Sequence, residues 1–156
     1  MIRIRRAAGS DIPRIADLLM QVARVHQLGR PDIFKAGTRK YTDDELEVLL
    51  TDENRPIFVA VNDGGVVLGY AFCVILEKGS HVLNPMRTLY IDDLCVDSAA
   101  RRQRVGQSLF DYVKTYAKEI GCYNLTLNVW ACNPGAMAFY ESQGMTMLKK
   151  EMETIL

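Results

Sequence analysis

The sequence predicts an α/β fold, a mixed sheet with helices on both faces. Three observations predict it. β-Rich runs and amphipathic helical stretches follow one another in the order β-α-α-β-β-β-α-β-α-β. The runs at 57–61 and 66–76 are joined by Asn62-Asp63-Gly64-Gly65, residues that accept positive φ and mark an antiparallel hairpin. Residues 90–120 then read as a strand (90–96), a short basic loop (97–104) and a helix (105–120), with alternation resuming at 123–129. Strand, helix and strand in that order form a right-handed crossover between parallel neighbours at the centre of the sheet.

Each element has a local cause. Ile2 and Ile4 alternate with Arg3 and Arg5, as in a half-buried strand near a sheet edge. Ser10 and Asp11 offer caps and Pro13 suits a first turn, so a helix follows whose stripe is Ile12, Ile15, Leu19, Val22 and Ala23. The pattern disappears from His26 to Lys40, a loop or broken helix. Thr42-Asp43-Asp44-Glu45 is a capping box that opens a short helix carrying Leu46, Leu49 and Leu50, ending before Pro56. Gly79 to Pro85 is rich in turn residues. Gly121 sits at the end of the second long helix, and Asn133-Pro134 supplies a cap and a first helical residue for a last helix ending near Gly144. The tail from Met145 to Leu156 is expected to return as a final strand.

The chain has 156 residues, which fits one domain over 1–156 with a core large enough to fold unaided. Hydrophobic residues make up 49% and charged residues 24%, proportions that exclude long disorder. Lys+Arg and Asp+Glu are both 19, so the broad basic field of a nucleic-acid binder is missing and nucleic acid is excluded as a partner. No apolar run reaches signal-peptide or membrane-span length, so a cytoplasmic protein with no membrane partner is expected. Cys73, Cys95, Cys122 and Cys132 lack metal-ligand spacing and read as reduced thiols, and neither His26 nor His81 has a second ligand beside it, so no metal is expected. Trp130 is expected to pack beneath the sheet.

Two features carry chemistry. The loop between the central strand and the helix holds Arg101, Arg102 and Arg104, with Gly106 in the first helical turn. Free N–H groups and the positive helix end converge there, a cradle for phosphate, although a solvated basic turn has the same composition. The second feature is Asp92-Asp93, two carboxylates in a strand that should be apolar on both faces. Adjacent strand residues face opposite sides, so one is expected to bond structurally and the other to enter a cleft. The structural alternative is that both cap backbone or pair with Arg87.

Arg101-Arg102-Gln103-Arg104-Val105-Gly106 resembles the Q/R-x-x-G-x-G/A loop of the GCN5-related N-acetyltransferase (GNAT) family, with Arg104 standing where the family usually has its first glycine. Asn133-x-x-Ala136-x-x-Phe139-Tyr140-x-x-x-Gly144 looks like that family's C-terminal cofactor motif, and the element order is the family's too. Tyr90-Ile91-Asp92-Asp93-Leu94 resembles a segment of the spermidine/spermine N-acetyltransferases. The resemblance implies a GNAT-type fold with splayed central parallel strands and an enzyme dependent on acetyl-coenzyme A. Its implied mechanism is direct attack by an amine in a ternary complex.

By the same resemblance, the backbone of Leu94, Cys95 and Val96 holds the pantetheine arm. The loop Arg101, Arg102, Gln103, Arg104, Val105, Gly106 and Gln107 holds the pyrophosphate, and Asn133 and Ala136 complete the cofactor site. Tyr140 protonates the departing thiolate, Asp92 serves the amine, and Asp93 ranks behind it. Arg104 is expected to be tolerated, at a cost only if its position requires positive φ. Cys95 lacks an activating histidine and is not expected to carry an acyl group. The acceptor is expected to be a small amine such as a polyamine or an aminoglycoside-like compound. A peptide N-terminus stands as the alternative, beside a non-catalytic acyl-coenzyme A sensor. Family members often pair as dimers, through sheet edges or C-terminal strands, so a homodimer is expected.

Overall fold

Alternation at the N-terminus produces β1 (Arg3–Arg6), which is an edge strand. It pairs antiparallel with β2 (Ile57–Val61), a strand buried along its whole length, as its unbroken apolar sequence requires. β2 turns through the Asn62 hairpin into β3 (Val67–Lys78). There Asn62 Oδ1 accepts from the N–H groups of Gly64 and Val66, and Gly65 adopts φ 78°. β4 (Met86–Val96) pairs antiparallel with β3 and parallel with β5 (Asn124–Leu127), giving a five-stranded mixed sheet in the order β1-β2-β3-β4-β5. This computed structural model describes residues 1–156.

Helices α1 (Ile12–Gly29) and α2 (Asp43–Leu50) cover one face. Ile15, Leu18, Leu19 and Leu46 meet Val59, Val61, Tyr70 and Phe72 there, and each such side chain stabilises the fold by about 1.5–3 kcal/mol. Helices α3 (Val105–Glu119) and α4 (Pro134–Ser142) cover the other face, where Leu109, Phe110, Val113 and Tyr140 pack on Phe58, Ala71, Leu89 and Ile91. Thr42 accepts from the Glu45 N–H and Asn133 from the Ala136 N–H, the two caps expected from sequence. Gly121 and Gly144 take φ 78° and 90° at the ends of α3 and α4.

Four expectations need correction. Helix α1 runs through His26 to Gly29, closed by the Arg30 N–H bonding to the His26 carbonyl at 2.8 Å. Asp11 does not cap α1: its carboxylate accepts from the Arg5 guanidinium at 2.7 and 2.9 Å and from the Ala8 N–H. β4 starts at Met86, before Tyr90, because its long hairpin with β3 pairs Lys78 with Met86. The tail from Met145 to Leu156 forms no strand. Met147 and Leu148 are adjacent and are followed by Lys149-Lys150-Glu151, so no single apolar face exists for this sheet to bury, and both apolar residues stay exposed.

Candidate active site

The site begins with an irregularity in β4. Phe72 pairs with Asp93 but Cys73 pairs with Ile91, so Asp92 is an extra residue in β4, a β-bulge. An inserted residue reverses the alternation. Leu89 and Ile91 face α3 before the bulge, Leu94 and Val96 do so after it, and Cys95 now faces α1. The expectation that Asp92 and Asp93 face opposite sides is therefore wrong, because the bulge turns both toward α1 and α2. Asp92 Oδ2 accepts from the Tyr41 hydroxyl at 2.5 Å, and Tyr41 stacks on Phe72 at 5.4 Å. Asp93 Oδ2 accepts from the Tyr70 hydroxyl at 2.9 Å, and Tyr70 packs edge-on to Phe72. Arg87 pairs with neither aspartate: it donates to Glu77 and to the Ile120 carbonyl.

The bulge also marks where the two parallel strands part. Pairing between β4 and β5 ends at Ile91–Leu127, so Asp92, Asp93, Leu94, Cys95 and Val96 have no partner in β5. Cys95 is buried with its thiol pushed up to about 12, first by burial and then by Asp93, and its Sγ donates to the Leu18 carbonyl at 3.6 Å. Such a thiol is inert as a nucleophile.

At the end of β4 the chain enters the basic loop. Val96, Ala100, Arg101, Arg102, Arg104, Val105, Gly106, Gln107, Phe139 and Gln143 line a cavity of about 330 Å³ at the start of α3. The loop residues of the sequence reading therefore meet at one place, except Gln103, which is exposed beside it. The loop is braced from below. Asp97 lies below the ordinary carboxylate range, chiefly through the Ala99 N–H it accepts, with Gln21 and Arg14 adding to the effect. Arg102 and Arg104 take φ 69° and 59°. Left-handed residues on either side of Gln103, just ahead of a helix N-terminus, are the kind of backbone from which anion-binding nests are built. The cost expected for Arg104 is thus present, roughly 1–2 kcal/mol for a side chain in this region.

The second motif meets the first here. A Cβ on Gly106 would lie 3.3 Å from the Phe139 ring and 3.5 Å from Val96 Cγ2, so a side chain here would require the ring to give by a few tenths of an ångström. Asn133 and Ala136 do not reach this cavity; the Asn133 carboxamide oxygen is taken by the α4 cap. Tyr140 is buried beside Phe110 and Phe139. Its hydroxyl lies well above the ordinary tyrosine value, mainly through burial, with Asp93 and Cys95 adding to it. It carries its proton throughout the neutral range. Asp93 is raised to about 6, mainly by burial, while Lys40 and Tyr70 oppose the rise.

Several functional neighbours escaped the sequence reading. Lys40 donates to Asp92 Oδ1 at 2.9 Å and to the Asp92 carbonyl at 3.0 Å, and Arg55 donates to the Tyr41 hydroxyl at 3.2 Å. Trp130 does not pack beneath the sheet. It is half-exposed and lies edge-on to Phe34 at 4.8 Å, with His26 stacked on Phe34 at 5.1 Å. His26 is lowered by burial and then by Lys40, which ties this aromatic cluster to the Asp92 side of the split.

Two outcomes follow from this geometry. Arg104→Gly should relieve the left-handed strain and raise unfolding stability by about 1 kcal/mol, near 2–4 °C in Tm by differential scanning calorimetry. Asp93 holds its proton more tightly folded, at about 6, than unfolded, so its contribution is full at low pH and is lost as pH rises through about 6. Asp93→Asn should therefore unfold at higher urea than the native chain at pH 8, by about 1–2 kcal/mol, with the difference vanishing near pH 4.

Comparison with known proteins gives a consistent result. The family model described as acetyltransferase (GNAT) family matches residues 22–145. A glucosamine 6-phosphate N-acetyltransferase of Arabidopsis thaliana is 27% identical over 108 residues, 69% of this chain. The match spans 63% of that relative's length. The crystal structure of a mutant of the BH1408 protein from Bacillus halodurans superposes with a TM-score of 0.95 at 28% identity, covering 99% of each chain. An aminoglycoside acetyltransferase from an uncultured soil metagenomic sample, in complex with sisomicin, shares the fold. Its TM-score is 0.72 at 21% identity, over 99% of this chain and 95% of that one.

Proposed function

Because the chain belongs to the acetyltransferase (GNAT) family, we propose that it transfers the acetyl group of acetyl-coenzyme A to a small-molecule amine, by direct attack in a ternary complex. The observation that carries this reading is the bulge at Asp92. It sets an acidic pair on one face where β4 leaves β5, with a buried, protonated Tyr140 beside the same stretch of strand.

The residues present fit the donor. The cavity at the start of α3 joins a helix N-terminus, a left-handed nest and the guanidinium groups of Arg101, Arg102 and Arg104, the chemistry a pyrophosphate needs. The edge of Leu94, Cys95 and Val96 that faces away from β3, left without a partner in β5, offers strand-like hydrogen bonds to an extended amide arm. Acetyl-coenzyme A, when bound, supplies the thioester carbon. Asp92 holds the acceptor's ammonium and takes its proton, directly or through water, so that a neutral amine attacks. Asp93, raised to about 6, keeps the pair negative above that pH. Tyr140 gives its proton to the departing sulfur. Lys40 and Tyr41 border the acceptor side, and Trp130, Phe34 and His26 form an aromatic wall near it.

Among the relatives, one is a glucosamine 6-phosphate N-acetyltransferase and another an aminoglycoside acetyltransferase, and both acceptors are amines on a small polar body. That class is the one we assign to this site. The whole chain is read as one domain because both cores share one sheet. Reduced thiols on β3 and β4 suit a cytoplasmic location. A homodimer is supported by the free edge of β5 and by the exposed Met147, Leu148, Met152 and Ile155 of the tail.

An amine panel with detection of free thiol tests the reaction. Turnover of a small amine is expected, with Tyr140→Phe and Asp92→Asn each reducing kcat by roughly 100-fold. Acetyl-coenzyme A at 100 times its Kd should stabilise all these proteins by about 2.7 kcal/mol. Full activity in Tyr140→Phe would sink the proton-donor assignment, and the lack of any stabilisation would sink the cofactor site. Sedimentation equilibrium is expected to give the mass of two chains; a monomer overturns the dimer.

A further inference from the structure

We infer that Lys40 is itself an acetyl acceptor, a modification site that the enzyme acetylates in its own chain when no small amine is present. The inference rests on the functional reading above and adds a second substrate for the same site. Its basis is where the Lys40 ammonium sits. Asp92 is largely buried, and its polar atoms are engaged by residues preceding α2: Lys40 on Oδ1 and on the backbone carbonyl, Tyr41 on Oδ2. An amine from solution reaches this carboxylate only by displacing Lys40. Lys40 is thus the first amine in line.

The position along β4 is the right one for reaction. The phosphate cradle lies beyond Val96, and an extended arm running back along Val96, Cys95 and Leu94 ends at Asp93 and Asp92. That is where pairing with β5 stops and where Lys40 makes its contacts. The Lys40 charge is felt by Asp93, and Asp93 in turn by Tyr140, so amine, acidic pair and phenol belong to one electrostatic group. Lys40 is also less than half exposed, held over Tyr41 with its Nζ 5.8 Å from the ring centroid, so it does not sweep freely through solvent.

The step balances without any further reagent. The Lys40 ammonium gives a proton to Asp92 Oδ1, and the freed nitrogen lone pair forms an N–C bond to the thioester carbon. The C–S bond breaks, and the sulfur takes the Tyr140 proton to leave as the thiol of coenzyme A. The attacking nitrogen loses its second proton to solvent as the tetrahedral carbon collapses, and solvent returns the proton from Asp92 to Tyr140. The product is N-acetyl-Lys40, which has lost its positive charge and can no longer pair with Asp92.

The test is peptide mapping by mass spectrometry of the full chain incubated with acetyl-coenzyme A and no acceptor. Lys40 should gain one acetyl group about 100-fold faster than exposed Lys35, at a rate per molecule independent of protein concentration. Free coenzyme A should protect Lys40 and leave Lys35 unchanged. Asp92→Asn should bring Lys40 to the rate of Lys35. A second readout needs no acetyl-coenzyme A: reductive methylation of Lys40 should be slower than that of Lys35 in the native chain and equal to it in Asp92→Asn. Equal methylation in the native chain overturns the ion pair and the inference with it. Turnover of panel amines with Lys40 unmodified, or modified no faster than Lys35, overturns this inference and leaves the functional reading standing. With acetyl-coenzyme A bound, the absence of both amine turnover and Lys40 acetylation overturns both.

Discussion

The single extra residue at Asp92 is the constraint on which the site depends. In a regular strand, Asp93 would follow Leu89 and Ile91 onto the α3 face, among Leu109, Val113 and Phe110. An uncompensated carboxylate there would cost several kcal/mol or force itself neutral. The bulge redirects it to Tyr70 on the opposite face, where it still titrates high but has a partner. The same residue ends the pairing of β4 with β5, because a locally bent and overtwisted strand cannot keep register with a parallel neighbour. Opening the sheet and turning both carboxylates to one side are thus a single event in the chain.

A formal charge of zero hides a strongly dipolar arrangement along β4. One end of the stretch without a β5 partner carries Asp92 and Asp93, and the other leads to Arg101, Arg102 and Arg104. On the proposed function, the donor's phosphates and the acceptor's ammonium are drawn to opposite ends of the same strand. The basic end is held in strained backbone at Arg102 and Arg104, which persists only because its surroundings over-determine it. Asp97, Arg14 and Gln21 fix the entry to the loop, and the Gly106 contact with Phe139 fixes its exit. The first anchor lies outside the cavity lining, and the second is part of it. Their effect is to hold the N–H groups of the nest in place before an anion arrives.

Much of this was legible in the sequence, and the illegible part has a common physical cause. The hairpin at Asn62, the caps at Thr42 and Asn133 and the parallel crossover are local patterns, and they emerge as read. The basic loop was equally plain, and so was the oddity of Asp92-Asp93. What alternation cannot reveal is a bulge, since one inserted residue leaves the composition of 90–96 unchanged while exchanging its faces. Lys40 and Tyr41 were missed because they lie in a stretch without periodicity and meet β4 across some fifty positions of sequence. Trp130 was misjudged by composition alone: large aromatics usually pack inside, but this one follows β5 and joins Phe34 and His26 at the rim. The tail fails for a different reason, having no apolar face that this sheet can bury.

Tyr140 shows how the two faces of the sheet are made to cooperate. It belongs to the α3 and α4 core, whereas Asp93 bonds on the α1 and α2 side, and a continuous sheet would insulate one from the other. Asp93 nevertheless makes the Tyr140 hydroxyl harder to ionise, and so does Cys95 on the far face. That coupling passes where β5 has left β4, since the gap is the one place where the sheet does not intervene. Burial keeps the phenol protonated, and a nearby carboxylate makes losing that proton harder still. A phenol so placed stays neutral, and the proton-donor role proposed for it requires a strongly desolvated base to form against it in the gap. On the proposed function, the parting of the strands therefore does more than admit a ligand: it brings Tyr140, from one core, toward the acidic pair held by the other.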